Sequence, residues 1–247
     1  MSQPPTTRDP KEGVSALFYE RWSPRAFSKA ELDEATVARL IDAARWSPSC
    51  FNAQPWRFYT ANAASNPSGF ADFVNLLLEG NQSWAKDASV IGFLVGKKHF
   101  EHNGKPNASY ALDCGAAWMA MTLQARQEGL YTHGMAGIKH KEIAAHFGLD
   151  PEQYEVLMGF AIGKIGDASQ LDKGLREKEY PSPRKSADDI WLHRLALQRL
   201  SEYPKACACE NHHEQQHGEL ADTCLPCIWK APQGFGVGQI NTGNVTD

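Results

Sequence analysis

The sequence predicts an α+β protein, a β-sheet covered by helices. Two runs, SVIGFLVG (89–96) and EVLMGFAIGKIG (155–166), are apolar at nearly every position, as strands buried on both faces are. Several other segments repeat apolar residues at helical spacing. Helices and strands then follow one another without regular βαβ alternation, which favours a sheet with helices laid on it over a doubly wound parallel fold.

Taken in order, residues 1–13 (MSQPPTTRDPKEG) read as a polar, flexible arm. DEATVARLIDAARW (33–46) sets Val37, Leu40, Ile41 and Ala44 on one helical face, with Asp33 as N-cap and Pro48 as the stop. RFYTA (57–61) is a short strand and GFADFVNLLLEG (69–80) a second helix. The longest helix spans 108–130, with Gly129 at its C-cap position. It is apolar around most of its circumference, so it must be buried from several sides, in a large core or at a subunit interface. KHKEIAAHFGL (139–149) is a short helix closed by Gly148. One domain over 14–200 is expected, followed by a tail, 201–247, that has little periodicity and no core of its own.

Composition excludes several classes of function. The 247 residues carry 25 basic and 29 acidic side chains, a net charge of −4. Binding to nucleic acid or an anionic membrane requires a basic excess that is absent. The start has no apolar signal core, and no apolar run approaches the roughly 20 residues of a spanning helix. A cytoplasmic protein is expected, and its six cysteines are not expected to form a disulfide framework. In the tail, Cys207, Cys209, His212, His213, His217, Cys224 and Cys227 could build a tetrahedral zinc knuckle. The Cys-x-Cys pair is tighter than usual ligand spacing, so the expectation is no metal and a disordered or peripheral extension. GFGVGQ (234–239) has neither the strand before it nor the helix after it that a phosphate loop requires. HFEH (99–102) reads as a solvated loop.

Two stretches remain. WSPSCFNAQPWRF (46–58) gathers Pro48, Ser49, Cys50, Asn52 and Gln54 between a helix and a strand. Amide side chains offer a donor and an acceptor in fixed geometry, suited to a planar heterocycle with alternating N–H and C=O edges. The plainer alternative is a connection that satisfies its own backbone. Cys50 reads as a small apolar filler. Upstream, ERWSPRAFS (20–28) alternates Arg21, Ser23 and Arg25, which project to one side of an extended segment and could grip an anion. A solvated arginine pair is the alternative.

In combination, RWSPRAFS, about twenty residues of helix, and SPSCFNAQPWRF resemble the nitroreductase family of FMN-dependent NAD(P)H oxidoreductases. The resemblance continues through NQSWAKDASVIGFLVG (81–96), GMAGI (134–138), EVLMGFAIGKIGD (155–167) and EYPSPRKS (179–186). It implies a central, mostly antiparallel sheet flanked by helices, in a homodimer with FMN at the subunit interface. By residue, it implies that Arg21, Ser23 and Arg25 hold FMN, with Arg25 near the flavin N1/O2 edge, and that Arg184 reaches the phosphate. Pro48, Ser49, Cys50, Asn52 and Gln54 match the loop lent by the second subunit. Asn81 matches a residue at the pyrimidine edge, and Met135, Ala136 and Gly137 a backbone segment near N5. Trp84 and Ala136 depart from some branches, which carry a basic and an acidic residue there. The implied activity is hydride transfer from NAD(P)H through flavin N5 to an electron-poor acceptor, a nitroaromatic or quinone, with no protein acid, base or metal. An activated alkene or halogenated aromatic is the rival acceptor. A non-catalytic flavin-binding or scaffold protein acting through its Cys/His tail is the rival class.

Overall fold

The computed structural model describes residues 8–191. The tail, with its Cys/His pairs and Gly-rich stretch, lies outside them. Five strands form one sheet: β1 (Phe27–Ser28), β2 (Trp56–Asn62), β3 (Val90–Lys97), β4 (Tyr131–Met135) and β5 (Tyr154–Ile165). Every pairing is antiparallel, so the expected sheet is the one observed. β3 lies between β2 and β5; β4 pairs with residues 159–163 of β5, and β1 with Ile165 and Lys164.

The apolar runs become strands covered on both faces. On β3, Ile91, Phe93 and Val95 join one core with Phe70, Phe73, Leu77, Trp84 and Ile143. Val90 and Leu94 join the other with Leu40, Ala44, Cys114, Ala117, Met121 and Phe160. The first face is therefore covered by α3 (Pro67–Asn75), α4 (Glu79–Ala85) and α6 (His140–His146), and the second by α2 (Glu34–Arg45) and α5 (Tyr110–Gln127). Burying a side chain such as Leu40 or Phe93 contributes about 1.5–3 kcal/mol each. Asp33 caps α2 as expected, accepting from the Thr36 N–H at 2.7 Å. Gly129, at φ +77°, takes the left-handed turn after α5 that an L side chain resists.

One expectation is corrected. The helix expected over 69–80 is two helices. α3 ends at Asn75, and Leu77 leaves it to form an isolated bridge with Ile138. Local pattern favoured continuation, but the tertiary pairing wins. On α5, Cys114, Ala117, Met121 and Ala125 are buried at 3–4-residue spacing, while Ala111, Leu112 and Gly115 are exposed within the chain. Short elements complete the compact unit that ends at Ser186: α1 (Ala16–Glu20) and α7 (Lys173–Arg176). The helix α8 (Ala187–Ile190) lies beyond it; Trp191 N–H donates to Ala187 O at 2.8 Å. Among the described residues, no helix is long and apolar enough to cross a membrane.

Candidate functional site

The opening motif leaves α1 in extended backbone, Arg21 having φ −68° and ψ 125°. Arg21 Nη1 donates to Ser23 Oγ at 3.3 Å, which brings two of the predicted residues together. Three side chains from distant positions hold this segment. The Arg8 guanidinium donates through Nη1 to Tyr19 O and Arg21 O, both at 2.6 Å. Glu179 Oε1 accepts the N–H groups of Arg25 (2.7 Å) and Ala26 (2.8 Å). His133 Nδ1 lies 2.8 Å from Pro24 O; a carbonyl only accepts, so this nitrogen carries the proton. Burial pushes the His133 pKa down to about 4, against the raising effect of the Pro24 bond, so the ring is neutral near pH 7. Its ring packs on Trp84, centroids 4.6 Å apart. Trp84 itself is core, buried to 2% exposure.

Arg184 arrives from the other end of the domain. Its Nη1 donates to Ser182 Oγ (2.9 Å), Pro183 O (3.0 Å) and Ser182 O (3.2 Å). Arg8 Nε donates to that same Ser182 oxygen, at 3.2 Å. The guanidiniums of Arg8, Arg21 and Arg184 thus converge. Burial, then Arg184 and Arg8, lower the Arg21 pKa from its usual value. None of the three makes an ion pair with a carboxylate among the described residues.

Asn81 and the Met135–Gly137 segment also meet. Asn81 Nδ2 donates to Gly137 O at 3.0 Å, and Leu78 N–H donates to the same oxygen at 3.0 Å. A Cβ on Gly137 would lie 2.7 Å from Asn81 Nδ2, so glycine is what lets the amide lie across this backbone. Met135 is buried and Ala136 exposed. β4 carries His133 and ends at Met135, where this segment begins, which ties the segment to Ser23–Arg25.

The loop of Pro48, Ser49, Cys50, Asn52 and Gln54 belongs to a different neighbourhood. Phe51, Asn52 and Gln54 have φ of 50°, 54° and 46°, left-handed values that cost an L residue roughly 1–2 kcal/mol. Asp113, buried on α5, holds the loop by accepting the Cys50 N–H at 3.1 Å. Ser49 Oγ accepts the Gln54 N–H at 3.0 Å, and Gln54 Nε2 donates to Asn52 Oδ1 at 3.2 Å. Phe51 is 82% exposed and Leu112, beside the loop's apolar depression, 77%. Among the described residues, no hydrogen bond joins this loop to Arg21, Ser23, Arg25, Asn81 or Arg184. The neighbouring Cys114 thiol is pushed up to about 12 by burial, which excludes it as a nucleophile.

Residues 19–83 and 70–164 match the model of the nitroreductase family, together more than half of the sequence. The chain belongs to the nitroreductase family. As a nitroreductase-family oxidoreductase it is similar to a solved structure described as the oxidoreductase containing FMN: 40% identity, TM-score 0.71, covering 77% of this chain and 96% of that one. It is 24% identical over 187 residues to the CLA biosynthesis enone reductase of Lactiplantibacillus plantarum, covering 61% of this chain and 85% of that protein. A shorter match, 50% identical over 48 residues, is to the 5,6-dimethylbenzimidazole synthase of Rhodospirillum rubrum, over 19% of this chain and 23% of that protein.

Four residues that organise the site escaped the sequence reading: Arg8, Asp113, His133 and Glu179. Asp113 carries a visible signal, a single acid inside YALDCGAAW, where an uncompensated carboxylate would be costly. Glu179 opens the EYPSPRKS element, but its partners lie 153 and 154 residues away. Nothing in the local pattern marks Arg8 or His133.

Proposed function

We propose that this protein binds FMN and moves hydride from NADH or NADPH to an electron-poor acceptor, a nitroaromatic or quinone, as a cytoplasmic homodimer. The observation that supports the reading most is the convergence of Arg21 and Arg184 with no carboxylate paired to either among the described residues. Guanidiniums without a carboxylate partner, Arg21 half-buried and Arg184 exposed, call for an anion, and planar forks of this kind suit a phosphate. The residues fit the cofactor. Arg21, Ser23 and Arg184 would take the phosphate, Arg25 would place a cation at the polar edge of the ring, and Asn81 would face its amide-like edge. The missing Cβ at Gly137 lets the Asn81 amide lie against the backbone beside Met135 and Ala136, which would set that amide at the ring's edge.

When bound, FMN supplies a ring that accepts a hydride and gives it up again. The chain's own groups then bind and orient; no side chain is assigned as an acid or base. The Pro48–Gln54 loop, including Cys50 and Asn52, is preset by Asp113 but far from the other residues in bonding terms. We assign it to the site of a second copy, and the exposed Leu112 side of α5 to the interface. The domain over 14–200 carries the activity, and the 201–247 tail is peripheral to it. An activated alkene is the second acceptor class, favoured by the likeness to the enone reductase.

The purified protein is expected to be yellow and to bleach anaerobically with NAD(P)H, as is a version ending near Leu200. A colourless protein that takes up no added FMN would end this reading. Arg21→Ala or Arg184→Ala each removes a charge-assisted contact of roughly 1.5–3 kcal/mol, so FMN retention should fall about 10- to 150-fold. Equal retention in both variants refutes the phosphate assignment.

A further inference from the structure

Among the three converging guanidiniums, Arg8 is the one no family motif contains, and it is the one bonded to both others' segments. Its Nη1 holds the backbone at Tyr19 and Arg21, and its Nε holds Ser182, two residues before Arg184. The remaining nitrogen, Nη2, is buried without a hydrogen-bond partner. A buried charged donor left unmet is costly, so its retention calls for an acceptor.

We infer that Arg8 is the third cation of the phosphate subsite: it braces the Arg21 and Arg184 segments against each other and adds its own charge to the pocket. The inference rests on the FMN reading above. A planar guanidinium can serve three carbonyls at once from fixed directions, whereas an ammonium on a flexible stem cannot keep that geometry. Bracing also matters because the two segments, one following α1 and the other beyond α7, are otherwise joined through Glu179, which bonds Arg25 and Ala26 and not the Arg21 end. Burial, and after it repulsion from Arg184, lowers the pKa of Arg8. An arriving phosphate dianion would relieve that repulsion.

Riboflavin, which has the ring but no phosphate, isolates the effect. The full-length apo-protein is titrated with FMN and with riboflavin, following flavin fluorescence. Arg8→Ala is expected to weaken FMN at least ten-fold while leaving riboflavin within two-fold, collapsing the preference of the wild type. Equal losses for both flavins, or no loss for either, overturn the inference while the FMN reading stands. If Arg8→Ala fails to fold, Arg8→Lys decides: it keeps the charge without the fork, and its FMN-to-riboflavin preference should fall part-way. A wild-type preference in Arg8→Lys overturns the bracing role. Should the wild type bind neither flavin, the FMN reading fails by itself. Thermal stabilisation by inorganic pyrophosphate then tests Arg8 alone: stabilisation lost in Arg8→Ala supports the anion site, and none in the wild type removes it.

Discussion

The two halves of the candidate site are built by opposite means. The inner half, Arg21 to Arg25 with Asn81, Gly137 and Arg184, is assembled from remote parts of one chain, and its pieces are bonded to one another through Arg8, His133 and Glu179. The outer half, Pro48 to Gln54, is local in sequence, held by one buried carboxylate, and turned outward with Phe51 exposed. One half is complete within the chain; the other is a preset shape without a partner inside it. The difference teaches where each half is vulnerable. The inner half fails when a long-range bond fails, the outer half when its frame loosens.

The largest effect should come from protonating His133, which strikes the inner half only. Its folded pKa, about 4, lies below the usual 6.5, so between these values the unfolded chain binds more protons than the folded one. Stability is full above about pH 6.5, falls as pH drops toward 4, and the loss is complete below that, roughly 3 kcal/mol for a shift of this size. Urea midpoints measured across this range should show the slope, and His133→Asn, which does not titrate, should flatten it. A wild-type midpoint unchanged between pH 6.5 and 4 would show that the inner half does not bury His133 as a neutral ring.

Asp113→Ala strikes the outer half. It leaves the Cys50 N–H without its acceptor and should cost about 1–3 kcal/mol by urea unfolding. The signature that separates the halves is dilution: in the homodimer proposed above, flavin retention in this variant should decline as protein concentration falls, because a badly presented loop would weaken what a second copy supplies. Arg21→Ala should instead weaken retention by the same factor at every concentration. If both variants respond alike to dilution, the division into an inner and an outer half is wrong.

The same division explains what could be read from the sequence. α2 with its Asp33 cap, β3 and β5 were legible because their signals are local: a period, a cap, an apolar run. β4 was not, because YTHGM has neither alternation nor an apolar run and becomes a strand only by pairing with β5. The helix break at Leu77 likewise exists only because Ile138 is there to bridge it. The loop and the Arg21–Arg25 motif were visible as motifs, yet the residues that place them act across 13 to 154 positions. Side-chain chemistry can be read along a chain; the bonds that aim it depend on topology.

The smallest effect tests whether the outer loop's shape is imposed by the chain. Gln54 sits at φ 46°, and its own side-chain bonds to Asn52 are exposed, so they contribute little. Gln54→Gly relieves the left-handed backbone but frees the unfolded chain, two effects of about 1 kcal/mol that oppose each other. Its stability should stay within about 1 kcal/mol of the parent. Gln54→Val puts a β-branched side chain at the same φ, which the backbone resists, and should lose roughly 1–2 kcal/mol. The two variants differ in backbone preference far more than in any contact, so their difference in urea midpoint reads the rigidity of the frame set by Asp113 and Ser49. A valine variant as stable as the glycine one would mean that the loop relaxes out of its left-handed turn. The second copy would then have to shape the loop, and the outer half would be made by assembly, not presented ready for it.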